Sequence, residues 1–260
     1  MLDVFGLTPV KFETLLLVAI RVTMVLNFIP VFSALQIPLL VRVGFGLLLS
    51  FVVYTMVPTI HYIPDLYGLA LAVLQQFIVA ALFGFVVSLV FMGVQLAGEI
   101  LDIQVGFAIA NVLNPFTNQN VSLIGEFQLA IATLLFLVSD AHLLVIEALG
   151  SSFQLLPLPG ITLAITTVTS ILHFLVLAFV LVFKIAGPVV LAIFVTNIML
   201  GLMARAAPQM NVFVVGFPLQ VGIGLTFIAF SLPLLGYILP DIYNQLPREL
   251  NTVLSELSGH

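Results

Sequence analysis

The sequence has no cysteine and no tryptophan, and it has very few charged residues. Only 7% of its 260 residues are charged, with 6 Lys or Arg and 11 Asp or Glu, against about 25% in ordinary soluble domains. Without cysteine there are no disulfides, thiolate metal sites or iron–sulfur clusters. Six cationic side chains within a formal net charge of -5 do not make the basic surface that binds phosphates. We therefore expect no nucleic-acid partner.

The residues that are present are mostly apolar. They make up 62% of the chain, the mean hydropathy is +1.33, and about 20 apolar residues are enough for one transmembrane helix. The composition would suffice for about six spans. It predicts an all-α, polytopic integral membrane protein with one domain, residues 1–260.

The apolar residues fall into runs separated by polar or proline-containing breaks: 14–32, 39–57, 66–97, 127–149, 161–203 and 212–239. The first two runs predict a short helical hairpin, and the third predicts one long tilted helix. The run that contains Gly187 and Pro188 is too long for a simple span, so it predicts two helices or one sharply kinked helix. Pro218 and Pro233 predict a bend in the last run, which is followed by a short tail, residues 240–260.

The loops carry almost no orientation signal. If six spans are counted, Lys11 and Arg248 lie on one side of the membrane, and Arg42 and Arg205 lie on the other. Cytoplasmic loops normally hold an excess of Lys and Arg. The balance favours a chain whose apolar faces are covered by other subunits rather than by lipid alone.

Ionisable residues inside apolar runs are functional candidates because they are costly in a membrane. They are Arg21, Asp140, His142, Glu147 and Lys184. Lys184 is either an ion- or proton-coupling site beside a broken helix, or a lysine that snorkels or pairs to fix helix packing. Asp140 and His142 are two residues apart and do not share a helix face, which disfavours a proton relay.

No pattern indicates an enzyme. The four histidines are isolated and form no pair at helical spacing, so we expect no metal. Ser151 and Ser152 lack the setting of a nucleophile elbow, and no glycine-rich loop suited to phosphates is present. We expect neither catalytic residues nor a cofactor.

The most distinctive segment is 98–128, which mixes small and apolar residues with amides and contains Pro115. One interpretation is an ordinary solvent-exposed loop. The other is a loop that reaches into a pore and closes it, since irregular backbone at membrane depth is tolerated where protein covers it or where it lines a water-filled cavity.

An ordered set of short motifs runs through nearly the whole chain. It consists of Arg21, Pro30, Pro38 and Arg42, then Gly98-Glu99-Ile100, Gln104, Gly106-Phe107, Ala110 and Pro115, then Leu134-Leu135-Phe136-Leu137 and His142, then Lys184-Ile185-Ala186-Gly187-Pro188-Val189, Asn197, Leu200-Gly201-Leu202 and Arg205, and last Ala207-Pro208-Gln209-Met210-Asn211-Val212-Phe213, Gly216 and Pro218. In this order the motifs resemble the FliR family of bacterial flagellar export proteins. The segment from Pro208 to Phe213 is the most specific of them.

The resemblance implies a fold of tilted, partly broken helical hairpins, in which a FliP-like part is joined to a FliQ-like part. It implies a single-copy core subunit of the type III export gate in the bacterial inner membrane, at the flagellar basal body. The implied partners are FliP-type and FliQ-type subunits, an FlhB-type protein at the cytoplasmic mouth, and the unfolded proteins that are exported.

The resemblance also implies an internal organisation and a set of site residues. Residues 1–97 would form N-terminal helices, 98–126 a plug-containing segment and 127–239 C-terminal helices. The plug residues carried over are Gly106, Phe107, Ala108, Ile109, Ala110 and Pro115. Structural or gating residues carried over are Gly98, Glu99, Gln104, His142, Lys184, Pro188, Asn197, Arg205, Pro208, Gln209, Asn211 and Gly216.

Three alternatives stay open at this point. The injectisome counterpart of the family, SctT, shares the pattern. A stand-alone secondary transporter would use Lys184 and Asn197 at a midplane site beside broken helices. A homodimeric scaffold would rely on close-packed glycines.

Overall fold

The computed structural model describes residues 8–33, 37–60, 63, 65–107, 122–158, 165–209 and 211–257, with the side chains of 165–168, 212 and 213 excepted. Every regular element in these ranges is a helix, so the all-α prediction is confirmed. The helices are α1 Pro9–Phe28, α2 Pro30–Ser33, α3 Leu39–Tyr54, α4 Leu66–Val105, α5 Leu123–Val138, α6 Ala141–Leu155, α7 Ile165–Ala206 and α8 Val212–Leu257.

The N-terminal helices follow the apolar runs with shifted ends. Helix α1 begins at Pro9, earlier than residue 14, because Thr8 accepts a hydrogen bond from the Lys11 amide at 3.4 Å and proline suits the first helical position. It ends at Phe28, just before Pro30. The long third run is a single helix, as predicted, and α4 continues beyond residue 97 to Val105.

The run at 127–149 is not one helix, contrary to its continuous apolar pattern. Helix α5 ends at Val138 and α6 begins at Ala141, with Asp140 between them in a left-handed conformation at φ 56°. Aspartate tolerates this conformation better than most residues. The Asp140 carbonyl then accepts from the Leu143 amide at 2.9 Å and starts the next helix.

Prolines do not divide the last two helices. Helix α7 runs through Pro188 without interruption, so of the two alternatives the pair of separate helices is wrong and a single helix is present. Transmembrane helices tolerate proline because neighbouring groups satisfy the freed carbonyl. Helix α8 likewise continues past Pro218 and Pro233, and it includes the predicted tail as far as Leu257.

Three helical stretches of the described chain are long and apolar enough to span a membrane: Leu66–Val105, Thr169–Ala206 and Val214–Leu257. The pair α5 and α6 would make a fourth if it is counted as one broken span. This is fewer than the six that the composition would allow. The polytopic membrane protein is confirmed, with three or four such segments in the described ranges.

The backbone divides into two compact units, and α4, α7 and α8 contribute residues to both. The first consists of Met1–Leu89, Asp140–Leu175 and Asn244–His260, and the second of Val90–Ser139 and Val176–Tyr243. Within the first unit, the loop before α4 is tied to α1. The Ile60 amide donates to Thr14 Oγ1 at 3.3 Å, and the Ile63 amide donates to Glu13 Oε2 at 3.2 Å.

Arg21 belongs to the first unit and is 1% exposed. Its Nε donates to Gln76 Oε1 at 2.7 Å, Nη1 donates to the Ser152 carbonyl at 3.0 Å, and Nη2 donates to the Leu156 carbonyl at 3.1 Å. Its Cζ lies 4.2 Å from the centre of the Phe153 ring. Arg21 therefore connects α1, α4 and the C-terminal end of α6, where a cation also interacts favourably with the helix dipole.

A cluster of three buried aromatic side chains lies in the second unit. The ring centres of Phe91 and Phe136 are 5.3 Å apart, and those of Phe136 and Tyr243 are 5.2 Å apart, both edge-to-face. The Tyr243 hydroxyl donates to the Ala132 carbonyl at 2.9 Å. This hydrogen bond satisfies the polar end of a fully buried tyrosine.

Candidate functional site: the junction of α4 and α5

The candidate site is the place where α4 ends and α5 begins, on either side of residues 108–121. Those residues lie outside the described ranges and include four of the predicted plug residues, Ala108, Ile109, Ala110 and Pro115. The site as described consists of the last two turns of α4, the residues Gly106 and Phe107, and the first turn of α5. All of it belongs to the second unit.

Gly106 ends α4 with a backbone conformation that favours glycine. Its φ is 98°, and its amide donates to the Asp102 carbonyl at 3.1 Å. A Cβ added at this position would also meet the Phe217 ring at 3.1 Å. Gly106 is buried, whereas Phe107 is half-buried.

Asp102 connects the end of α4 to the start of α5. Its side chain is 6% exposed. Its carboxylate accepts hydrogen bonds from the Ser122 hydroxyl and, at 3.1 Å, from the Ile124 amide. Ser122 is the N-cap of α5, where its Oγ accepts from the Gly125 amide at 2.8 Å. Two of the otherwise unpaired amides at this helix start are thus satisfied.

One turn before Asp102, the backbones of α4 and α5 come into close contact. A Cβ added at Gly98 would lie 2.6 Å from the Gly125 amide nitrogen, and one added at Gly125 would lie 3.1 Å from the Gln95 carbonyl oxygen. Gly98 and Asp102 are four residues apart, so they share one face of α4. This face brings the Asp102 carboxylate within reach of α5.

Gln104 contributes both its backbone and its side chain to the site. Its carbonyl accepts a hydrogen bond from the Gln220 side-chain amide of α8. Its side chain lines a cavity of about 340 Å³ together with Gly187, Val190, Leu191, Phe194 and Asn197. Two predicted residues from distant parts of the sequence, Gln104 and Asn197, are thereby brought together, while Lys184 does not line this cavity.

The remaining predicted residues do not gather at one place. Most are exposed on α7 or on the connection to α8: Lys184, Pro188, Arg205, Pro208, Gln209 and Asn211. Asn211 also caps α8, because its Oδ1 accepts from the Val214 amide at 3.3 Å. Gly216 is buried, Glu99 is half-buried, and the half-buried His142 has a buried Nδ1 without a hydrogen-bond partner in the described residues.

Sequence reasoning missed Asp102 and Ser122. A serine before an apolar run, followed by Glu126 in the first turn, is a helix-start signal that would have identified Ser122. Asp102 gives no local signal, because its role depends on a contact across 22 residues with Ile124.

The role that this arrangement supports is to position the ends of α4 and α5 on either side of residues 108–121. Within the described ranges, no group of three or more His, Cys, Asp or Glu side chains could hold a metal ion. The polar groups at the junction hydrogen-bond to backbone and to each other, and they fix the residues on both sides of 108–121.

Replacing Gly106 with alanine should lower the free energy of unfolding by about 1–2 kcal/mol, because a side chain disfavours a positive φ. Unfolding in detergent, followed by far-ultraviolet circular dichroism, measures the change. Gly222→Ala is the matched control, since a Cβ there meets nothing within 4 Å. Equal stability of the two variants would contradict the conformational requirement at Gly106.

Comparison with known proteins identifies the family. The sequence model described as bacterial export proteins, family 1, matches residues 12–246. The chain is 29% identical to the flagellar biosynthetic protein FliR of Escherichia coli (strain K12) over 240 residues, covering 92% of this chain and 91% of that protein.

Two further relatives agree. The flagellar biosynthetic protein FliR of Bacillus subtilis (strain 168) is 28% identical over 252 residues, covering 94% of this chain and 95% of that protein. That of Aquifex aeolicus (strain VF5) is 32% identical over 230 residues, covering 85% and 86%. With these matches and the order of its motifs, the chain belongs to the FliR family of bacterial export proteins.

Proposed function

We propose that the chain is a non-enzymatic core subunit of the bacterial flagellar type III protein export gate, in the inner membrane at the flagellar basal body. It assembles with FliP-type and FliQ-type subunits around a closed pore, and an FlhB-type protein lies at the cytoplasmic mouth. Unfolded flagellar proteins pass through the pore. The names of the relatives, flagellar biosynthetic proteins, favour the flagellar branch over the injectisome counterpart.

The observation that carries this proposal is the unequal burial of the three long apolar helices. In the most apolar part of α4, 61% of the residues are buried within the chain, against 33% in α7 and 22% in α8. Large apolar side chains such as Phe183, Phe194 and Phe230 are exposed on α7 and α8. Exposed apolar surface on long apolar helices is covered by lipid or by protein.

Lys184 favours protein as the cover over part of this surface. It is exposed and lies near the middle of Thr169–Ala206, beside the exposed Phe183. A lysine at the centre of a lipid-facing helix costs about 2.5–3.5 kcal/mol on insertion scales. Neighbouring subunits or a water-filled channel remove that cost, as an assembled gate would.

The pore is closed, in this proposal, by a plug that begins at Gly106 and Phe107 and includes Ala108, Ile109, Ala110 and Pro115. The support is the hydrogen-bonded junction on both sides of the segment. Asp102 accepts from Ser122 and Ile124, and Gly106 is bonded to the Asp102 carbonyl. A closing segment needs fixed ends if it is to return to one resting position.

Deleting residues 106–111 tests the plug directly. The variant should assemble with FliP-type and FliQ-type partners as the unmodified chain does, because the hydrogen bonds of the Asp102 side chain to Ser122 and Ile124, which join α4 to α5, lie outside the deletion. The membrane should become permeable to ions and small solutes, measured as solute uptake by cells that co-express the three proteins.

Deletion of residues 258–260, beyond the end of α8, is the control and should not raise the uptake. Native mass spectrometry of both variants establishes that they assemble equally. Unchanged uptake by a normally assembled 106–111 deletion would overturn the plug assignment.

A further inference from the structure

Helix α5 is capped by two different segments of the chain. Ser122 provides the local cap by accepting from the Gly125 amide. The amide of Ile124 instead donates to the Asp102 carboxylate, which comes from α4 and lies 22 residues earlier in the sequence. A helix start normally depends on side chains next to it in sequence, whereas one of the two caps on the first turn of α5 is present only while α4 stays against it.

The charge and burial of Asp102 strengthen this dependence. At 6% exposure, its carboxylate needs hydrogen bonds to offset the loss of water. It accepts them from the Ser122 hydroxyl and the Ile124 amide. A negative charge at a helix start also interacts favourably with the helix dipole. Separating α4 from α5 would remove all of these interactions at once.

Asp102 also holds the other side of the junction. Its backbone carbonyl accepts from the Gly106 amide at 3.1 Å, which fixes the end of α4. A single residue therefore makes hydrogen bonds through its backbone to the residue where α4 ends and through its side chain to the first turn of α5. The close backbone contact of Gly98 with Gly125 sets the distance over which the side chain reaches.

We propose that Asp102 is a positioning residue that caps α5 from α4 and thereby holds the two ends of the connection between these helices at a fixed separation. This inference rests on the proposed function, in which that connection carries the plug. Loss of the Asp102 carboxylate loosens the first turn of α5 and makes the resting gate leak, although the subunits still assemble.

The experiment uses the gate assembled with FliP-type and FliQ-type partners, carrying Asp102→Ala or Asp102→Asn. Hydrogen exchange is measured by mass spectrometry on a peptide from the first turn of α5. Asp102→Ala should raise the exchange rate there about tenfold, which corresponds to loss of a typical cap. Asp102→Asn keeps a side-chain oxygen that can accept from the Ile124 amide. Its exchange rate should lie between those of the unmodified chain and Asp102→Ala.

Glu126→Gln is the matched control, because Glu126 is an exposed acid in the same first turn. It removes a negative charge from the same helix start but no cap hydrogen bond, so it should raise the exchange rate much less than Asp102→Ala does, and it should not change the leak. Small-solute uptake should rise in the order unmodified chain, Asp102→Asn, Asp102→Ala. If Asp102→Ala does not assemble, Asp102→Asn is compared with Glu126→Gln and should exceed it in both measurements.

The two measurements separate this inference from the plug proposal. Unchanged exchange in the first turn of α5 would overturn the capping role of Asp102, whatever the leak. Faster exchange without added leak, while deletion of 106–111 does leak, would overturn its role in closure and leave the plug intact. If the deletion does not leak either, the plug and the closure role both fail, and the exchange rate still decides the capping role.

Discussion

Replacing Arg21 with methionine should lower the free energy of unfolding of the chain by about 3 kcal/mol. The methionine fills much of the same volume but donates no hydrogen bond. The Gln76 side-chain oxygen and the carbonyls of Ser152 and Leu156 then lose a buried donor. A buried acceptor that is left without any donor costs about 1–3 kcal/mol.

An opposing effect limits this loss. Removing a buried guanidinium also removes the cost of taking its charge out of water, and whole buried ion networks can be replaced by apolar residues without loss of stability. Here the acceptors remain. The Ser152 carbonyl keeps a donor, the Leu156 amide at 2.9 Å, but the buried Gln76 oxygen and the Leu156 carbonyl lose the donor that Arg21 supplied. The unsatisfied acceptors therefore dominate.

Unfolding in detergent, monitored by far-ultraviolet circular dichroism, gives the comparison. Arg248→Met is the matched control, because Arg248 is exposed on α8 and its replacement should change the stability by less than about 0.5 kcal/mol. A variant at Arg21 that is as stable as this control, or more stable, would show that desolvation outweighs the hydrogen bonds.

Replacing Gly98 with alanine should destabilise the chain by about 3 kcal/mol, at the upper end for an inserted methyl group. The added Cβ would lie 2.6 Å from the Gly125 amide nitrogen and 2.9 Å from the Ile124 carbonyl carbon. These are backbone atoms, so no side-chain rotation relieves the contact. Helices α4 and α5 must separate, and the Asp102 cap on α5 weakens as a result.

Gly201→Ala is the control for helix propensity. Gly201 also lies inside a long helix, but a Cβ there meets nothing within 4 Å. Alanine is favoured over glycine in helices by about 1 kcal/mol, so this variant should be slightly more stable than the unmodified chain. If Gly98→Ala gained stability like Gly201→Ala, the close contact of α4 with α5 would be contradicted.

The long-range organisation of the chain could be predicted only in part. The apolar pattern correctly indicated the all-α membrane protein, the single helix α4 and the start of α3 at Leu39. These features depend on local composition and on breaks such as Pro38. The break at Asp140 was not predicted, because a left-handed residue inside an apolar run leaves no mark on hydrophobic periodicity.

The candidate site, too, could be predicted from the sequence only in part. The resemblance to the family pointed to Gly98, Gln104 and Gly106, and the structure places all three in the last turns of α4 or just after it. It could not point to Asp102, whose partners Ser122 and Ile124 are distant in sequence. Pro188 left two alternatives open, and it lies within a continuous α7, because proline does not by itself end a helix whose neighbours satisfy the freed carbonyl.

Membership of an export gate is tested most directly by native mass spectrometry of the detergent-extracted chain, expressed with and without FliP-type and FliQ-type proteins from the same source. The proposed function predicts a defined hetero-oligomer that contains one copy of this chain. A stable monomer or homodimer that does not bind those partners would contradict the proposed function.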